Sequence, residues 1–241
     1  MYNSTVAWIT FRALFGRRRA LLFVLPALVL IVITLVLKGA HNTLSDWPAL
    51  VLGRVGVGAV VPLTALLVGT SVLGSEIDDN SVLHLLATPV RRRDVIVSKI
   101  VVSALTTMLF AAVPVLVAGL IAQGSGANSS KLAVGCFLGA VLGSIVYSCL
   151  FVLVSAALRH PVIYSLAYVA IWEQLIATLV GGAKYLSIEQ WSLGLAHSVS
   201  NNANLDSHLT LTPSIVMSVI AVVLTTWYAS VRLSAFTVRA D

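Results

Sequence analysis

The sequence predicts an all-α membrane protein with six transmembrane helices, on three observations: an apolar composition, apolar runs of bilayer length, and a lopsided placement of positive charge. Of 241 residues, 59% are hydrophobic and 10% charged, and the mean hydropathy is +0.99. Soluble domains carry about 25% charged residues, so this chain lacks the groups to build a water-facing surface. The apolar runs leave no stretch for a separate soluble catalytic domain.

A helix needs about 20 apolar residues to cross the hydrocarbon core of a bilayer. The first run, ALLFVLPALVLIVITLVL at 20 to 37, contains fourteen Leu, Ile, Val or Phe. At about 0.3 to 0.6 kcal/mol each they favour insertion by about 4 to 8 kcal/mol, before the cost of Pro26. KGAHNTLSDWP follows it, with no A-x-A-like cleavage site, so the run is a retained span and not a signal peptide. Further spans are expected at 54 to 74, 95 to 122, 132 to 158, 161 to 180 and 213 to 231, and together they make 1 to 241 a single transmembrane domain. Asp94 suits a helix N-cap, and Pro161 and Pro213 suit a first helical turn. Pro26, Pro62 and Pro114 lie inside spans, where each sets a kink if neighbours satisfy the freed carbonyls.

Six spans put both termini on one side, and positive charge chooses the side. One side collects Arg12, Arg17, Arg18, Arg19, Arg91, Arg92, Arg93, Lys99, Arg159, Arg232 and Arg239; the other holds Lys38, Arg54, Lys131 and Lys184. Eleven against four places both termini in the cytoplasm, with the 75 to 94 segment and the turn at 159 to 161. The 38 to 53 loop, the QGSGANSSK loop and the 181 to 212 segment then lie outside. The net charge of +6 thus marks sidedness, and no nucleic-acid partner is implied. Cys136 and Cys149 share one apolar run, where thirteen helical residues separate them by about 20 Å, beyond disulfide reach.

Residues 5 to 19 place Val6, Ile9 and Ala13 on one flank, Trp8, Phe11 and Phe15 on an adjoining one, and end in GRRR. This is the pattern of an amphipathic interfacial helix or of a plain positive-inside anchor, cytoplasmic in either case. Residues 74 to 99, GSEIDDNSVLHLLATPVRRRDVIVSK, carry more information. Ser75 can cap a short helix with Asp78 three residues on. Glu76, Asp78 and Asp79 fill the first turn, as the helix dipole prefers. Val82, Leu83, Leu85 and Leu86 form an apolar end closed by Pro89, and an Arg triplet with Lys99 returns the chain to the bilayer.

At these residues the chain resembles the ABC-2 type permeases, membrane subunits of ABC transporters whose ATPase is a separate chain. Members commonly show an acidic residue, a Gly-Thr pair, Leu-Leu-x-x-Pro, a basic residue, and Gly-Lys entering the third helix. Glu76, Leu85, Leu86, Pro89, Arg92 and Lys99 stand at the matching positions, while Asn80-Ser81 replaces Gly-Thr and Ser98 replaces the Gly. The six-span layout extends the likeness over the whole chain. The resemblance implies a cytoplasmic coupling helix between the second and third spans that docks on the ATPase, with Glu76, Asp78, Asp79, Leu83, Leu85, Leu86, Pro89, Arg92 and Lys99 at the interface. The alternative is a hairpin whose arginines merely hold topology. The resemblance also implies ATP and Mg on cytoplasmic ABC ATPase subunits, with no cofactor on this chain, and a second permease copy or paralogue as partner in the lipid bilayer.

Between the fifth and sixth spans, KYLSIEQWSLGLAHSV repeats apolar residues at Tyr185, Ile188, Trp191, Leu195 and Val199, near helical spacing. This predicts an amphipathic helix in the outer interface. The family resemblance implies that it re-enters the membrane as an outer gate, with Ile188 and Trp191 on it; the alternative is an interfacial helix anchored by Trp. Glu173, flanked by Trp172 and Gln174, is the one acid well inside an expected span. It lines a polar pathway, pairs with another helix, or reaches outer-interface water, and intramembrane acids are functional candidates by default. Gly135, Gly139 and Gly143 align small residues on one face of the fourth span, for packing within the subunit or between subunits.

QGSGANSSK fails the phosphate-loop pattern, because Leu132 follows Lys131 where Ser or Thr is needed. No His or Cys spacing suits a metal. Nothing supports catalysis by this chain alone. The expected function is the permease subunit of an ABC transporter, an exporter in a bacterial plasma membrane. The alternatives are an ion-gradient-coupled secondary transporter, which needs more buried charge and an internal repeat, and a non-transporting scaffold or immunity-type protein.

Overall fold

The computed structural model describes residues 17–40, 46–78, 92–124, 130–201, 205 and 209–235. Among them every regular element is helical. Helix α1 is Arg17–Gly39. Helix α2 begins as Trp47–Leu50, passes through a π-helical stretch, Val51–Val60, and continues as Val61–Asp78. Helix α3 has the same build, with Arg92–Thr107, a π-helical Met108–Ala112 and Val113–Ile121. Helix α4 is Ser130–Ala157. Helix α5 joins Pro161–Ala167, a π-helical Tyr168–Ile176 and Ala177–Leu179. A 3-10 turn, Ala183–Leu186, leads to α6, Ile188–Ser200, and α7 is Leu211–Ala235.

Five helices are long and apolar enough to cross a membrane: Leu22–Gly39, Trp47–Val72, Ile96–Ile121, Ser130–Ala157 and Leu211–Ala229. The run expected at 161 to 180 forms a shorter apolar helix, Pro161–Ile176. It ends where Val180 turns extended ahead of Gly181 and Gly182. The second span starts at Trp47 and not at 54, because Pro48 opens a helical turn and Arg54, which stays exposed, is carried on the helix without breaking it. The expected interfacial helix at 5 to 19 and most of the expected coupling segment lie outside the described residues.

Two of the three prolines expected to kink spans are absorbed by widened turns. Proline has no N–H and crowds the carbonyl four residues back, and a local π register accommodates it. Immediately before Pro62 the N–H of Val61 donates to Gly56, and immediately before Pro114 the N–H of Val113 donates to Met108, five residues back in each case. Hydroxyls on the spans are satisfied in the same local way: Thr34, Thr64, Thr70, Thr106, Ser144 and Ser218 donate to carbonyls four residues back on their own helices.

Helices α2 and α4 form the centre. In the apolar window of α2, 72% is buried, against 11% for α7, so α7 lies at the edge of the bundle with most of its surface uncovered by this chain. Leu30 of α1, Leu52 and Val61 of α2, Val115 of α3, and Leu132, Tyr147 and Phe151 of α4 share one core. Tyr147 and Phe151 stack with ring centroids 5.7 Å apart, and Tyr168 of α5 meets Phe151 edge-on at 6.4 Å. The ends of α1 and α3 are tied by Lys38, whose Nζ donates to the carbonyl of Ile121 at 2.5 Å. The cation thus sits on C-terminal carbonyls that the helix leaves without partners.

Candidate functional site: the seat of helix α6

The three glycines of α4 face α6. A Cβ built on Gly135 would lie 2.6 Å from the carbonyl oxygen of Ala196, and one on Gly143 would lie 2.8 Å from the Ser192 hydroxyl. A Cβ on Gly139 would collide with the Ser192 carbonyl. Gly135 and Gly139 therefore let the backbone of the facing helix come close, and Gly143 makes room for the Ser192 side chain. The glycine face is occupied within the chain by α6. On its other side, Gly194 of α6 meets Ser214 and Leu209 at the start of α7.

Helix α6 is thus enclosed by protein. Its buried residues include Ile188, Glu189, Trp191, Ser192, Leu193, Ala196 and Ser200, whereas Tyr185 is exposed and Leu195 and Val199 are half-buried. The apolar repeat that predicts an interfacial helix covers only part of the buried surface, through Ile188 and Trp191, while the surface against α4 is made of small residues. The helix also starts later than 184. Ser187 is its N-cap, and its hydroxyl accepts from the backbone N–H of Gln190.

Glu173 holds this start. Its side chain is 1% exposed. Oε2 accepts from the Ser187 hydroxyl at 2.5 Å, and Oε1 accepts from the Ile188 amide at 3.0 Å and the Tyr168 hydroxyl at 3.1 Å. A carboxylate on free amides at a helix N-terminus is favoured by hydrogen bonding and by the helix dipole together. The partners of Glu173 are thus the backbone and cap of α6 and a hydroxyl of its own helix. Trp191 donates from Nε1 to the carbonyl of Tyr185 at 2.8 Å, which fixes the 3-10 turn against α6.

Gln174 makes a second clasp. Its Nε2 donates to the carbonyl of Gly58 at 3.2 Å and to Oε2 of Glu189 at 3.1 Å. Gly58 lies four residues before Pro62, so its carbonyl is the one whose α-helical donor the proline lacks. The amide of α5 takes that place. Glu189 packs so closely on Gly58 that an added Cβ would lie 2.5 Å from Oε1. Burial pushes the Glu189 carboxyl up to about 7, the charge of Glu173 pushes it the same way, and Arg54 and the Gln174 hydrogen bond oppose them. Glu189, Tyr168, Ser187 and Gly58 do not stand out in the sequence as site residues.

At the opposite end of the bundle, Lys99 of α3 is 1% exposed and its Nζ donates to the carbonyl of Val72 at 3.4 Å. This joins the start of the third span to the end of the second. Glu76 and Asp78 lie on the last turn of α2 and Arg92 begins α3. Asp79, Leu83, Leu85, Leu86 and Pro89 lie outside the described residues. Among the described residues no group of three His, Cys, Asp or Glu could hold a metal ion.

Apolar helices of bilayer length, with polar side chains gathered where helices meet, define an integral membrane protein. Residues 15–180, α1 through α5, match the family described as ABC-2 family transporter protein. That is well over half of the chain, and the chain belongs to this family: it is a permease-type component of ABC transport, whose membrane subunits generally work with ABC ATPases. A comparison with curated proteins returns no match.

Proposed function

We propose that this chain is the permease subunit of an ATP-driven exporter in a bacterial plasma membrane, working as two permeases with two cytoplasmic ATPase subunits that carry the ATP and Mg. Six spans with both termini in the cytoplasm fit its charge distribution. The segment at 75 to 94 is the coupling element, with Lys99 tying its two flanking helices together. Helix α6 is the outer gate, and its seat between α4 and α7 is the closed position.

The observation that carries the reading is the seat of α6. A helix that merely lay on the membrane would turn its apolar side to lipid and its polar side to water. This one is enclosed between α4 and α7 and clasped at its start by Glu173 and Ser187, so opening it requires a defined set of contacts to break together. Motion of α5 relative to α4 acts on those contacts directly, because Glu173 and Gln174 are both on α5.

The test is co-expression with the products of the neighbouring genes and purification in mild detergent. An associated ATPase whose activity depends on this chain, and whose coupling is weakened by charge reversal at Glu76 and Arg92, supports the permease reading. Failure of any ATPase to associate with the folded protein counts against it. A gradient-driven carrier would draw on the same buried carboxylates but would transport without an ATPase, so reconstitution of the chain alone separates the two.

A further inference from the structure

The seat of α6 holds two carboxylates where a transmembrane packing contact needs none. Glu173 is 1% and Glu189 7% exposed, and their charges act on each other. Two like charges removed from water in one site cannot both ionise cheaply. The cation acting on Glu189 is Arg54 of α2, and it counters one charge of the two.

The donors around the pair are unequal. Three converge on Glu173, from Tyr168, Ser187 and the Ile188 amide, and favour its charged form. Glu189 receives the Gln174 amide and lies against the Cα of Gly58. Tyr147 of α4 is fully buried and lies within electrostatic reach of both Glu173 and Glu189, so the pair is cut off from water on its α4 side as well.

We propose that the seat of the outer helix is a proton-binding site, in which Glu173 and Glu189 together hold one proton, on Glu189, while α6 is seated. When α6 leaves, the O–H bond of Glu189 breaks, the proton passes to outer water, and both carboxylates are left charged and hydrated. The groups facing the pair are Arg54 from α2, Tyr147 from α4, Tyr168 and Gln174 from α5, and Ser187 at the start of α6. The part of α7 against α6 brings the uncharged Ser214. The link to gating rests on the function proposed above; the proton site itself does not, and is read on this chain alone.

The experiment is an infrared pH titration of the full chain in phospholipid nanodiscs, following the carbonyl band of a protonated carboxylic acid. The expected band titrates near pH 7, where burial and Glu173 place Glu189, and is absent in Glu189→Gln. In Glu173→Gln the repelling charge is gone and the midpoint falls by about one unit, a tenfold loss of proton affinity. Glu189→Asp, which keeps an acid, retains a band and guards against a fold lost in the glutamine variant. Three results overturn the proposal: no such band, a band that survives Glu189→Gln, or a band that disappears on adding sodium or potassium at constant pH, which would give the site to a metal cation. The gate is tested separately, by labelling a cysteine at Ile188 with and without the ATPase and nucleotide. Labelling that ignores nucleotide would remove the gate and leave the titration standing.

Discussion

Enlarging Gly139 is the sharpest test of how α6 is held. A Cβ there collides with the backbone carbonyl of Ser192, and the Cβ of Ala196 lies 3.2 Å away. Backbone cannot rotate aside as a side chain can, so α4 and α6 must separate or shift. Overpacking of this kind costs about 1 to 3 kcal/mol, and a residue with a Cβ regains at most about 1 kcal/mol of helix propensity over glycine. Gly139→Ala should therefore lose about 1 kcal/mol and Gly139→Val about 3. For a chain of this size about 1 kcal/mol moves Tm by about 2 to 4 °C, so the valine variant should melt about 6 to 12 °C lower. The assay is thermal unfolding in detergent followed by tryptophan fluorescence, since Trp191 lies buried on α6, together with size-exclusion chromatography. Gly181→Ala is the control, because a Cβ there meets nothing within 4 Å. An unchanged Tm for Gly139→Val, or an unchanged Tm with loss of oligomers, would refute the reasoning and give the glycine face to a neighbouring subunit.

Other positions give graded outcomes. Glu173→Ala strips the acceptor from three donors and should destabilise by about 3 kcal/mol or more, at about 1 to 3 kcal/mol for each buried group left unpaired; Ser187→Ala loses a helix cap worth about 1 kcal/mol, and the order of the two melting temperatures checks the assignment. Gln174→Leu removes the donor that serves the Gly58 carbonyl and should cost about 1 to 2 kcal/mol, and an unaffected Tm would mean the widened turn before Pro62 satisfies itself. Glu189 carries a pH signature. Its carboxyl is at about 7 when folded against an ordinary 4.5, so the unfolded chain releases the proton first and stability falls as pH rises from 4.5 to 7, then levels off, a total of about 3 kcal/mol. Glu189→Gln should flatten that slope, as melting curves across the range would show.

The spans were readable because a bilayer imposes its thickness on the sequence and charge marks the ends. Ser130–Ala157 lies within two residues of the run expected at 132 to 158. The early start at Trp47 was hidden by Arg54, a charge that looks like a boundary but stays exposed on the side of a helix. Helix α6 was harder for a physical reason. Apolar periodicity reports burial when the alternative is water; beside lipid, apolar residues such as Leu195 can stay half-exposed, and it is Ser192 and Ala196 that enter the protein. The glycine stripe on α4 carried half of that contact, yet nothing in its spacing named the partner. Glu173 stood out because its neighbours are apolar. Glu189 did not, because it sits in a polar stretch, and its burial depends on Gly58, which lies in a separate span. The Ser187 to Gln190 pattern was the available local signal for where α6 begins. The π-helical turns before Pro62 and Pro114 follow from the prolines, but that α5 would lend a side-chain amide to the first of them is a matter of tertiary placement.

The claim that α6 must leave its seat for the transporter to work can be tested by fastening it. The Cβ position of Gly143 is 3.7 Å from the Cβ of Ser192, inside the range that a disulfide spans. Gly143→Cys with Ser192→Cys, in a chain carrying Cys136→Ser and Cys149→Ser, should close a bond between α4 and α6 on oxidation. Measured in the complex with its ATPase, the oxidised pair should lose the ATPase activity that depends on this chain, and reduction should restore it, while each single cysteine variant should ignore the oxidant. Full permease-dependent activity with the disulfide closed would contradict the account, because the outer helix would then be a fixed part of the bundle and not its gate.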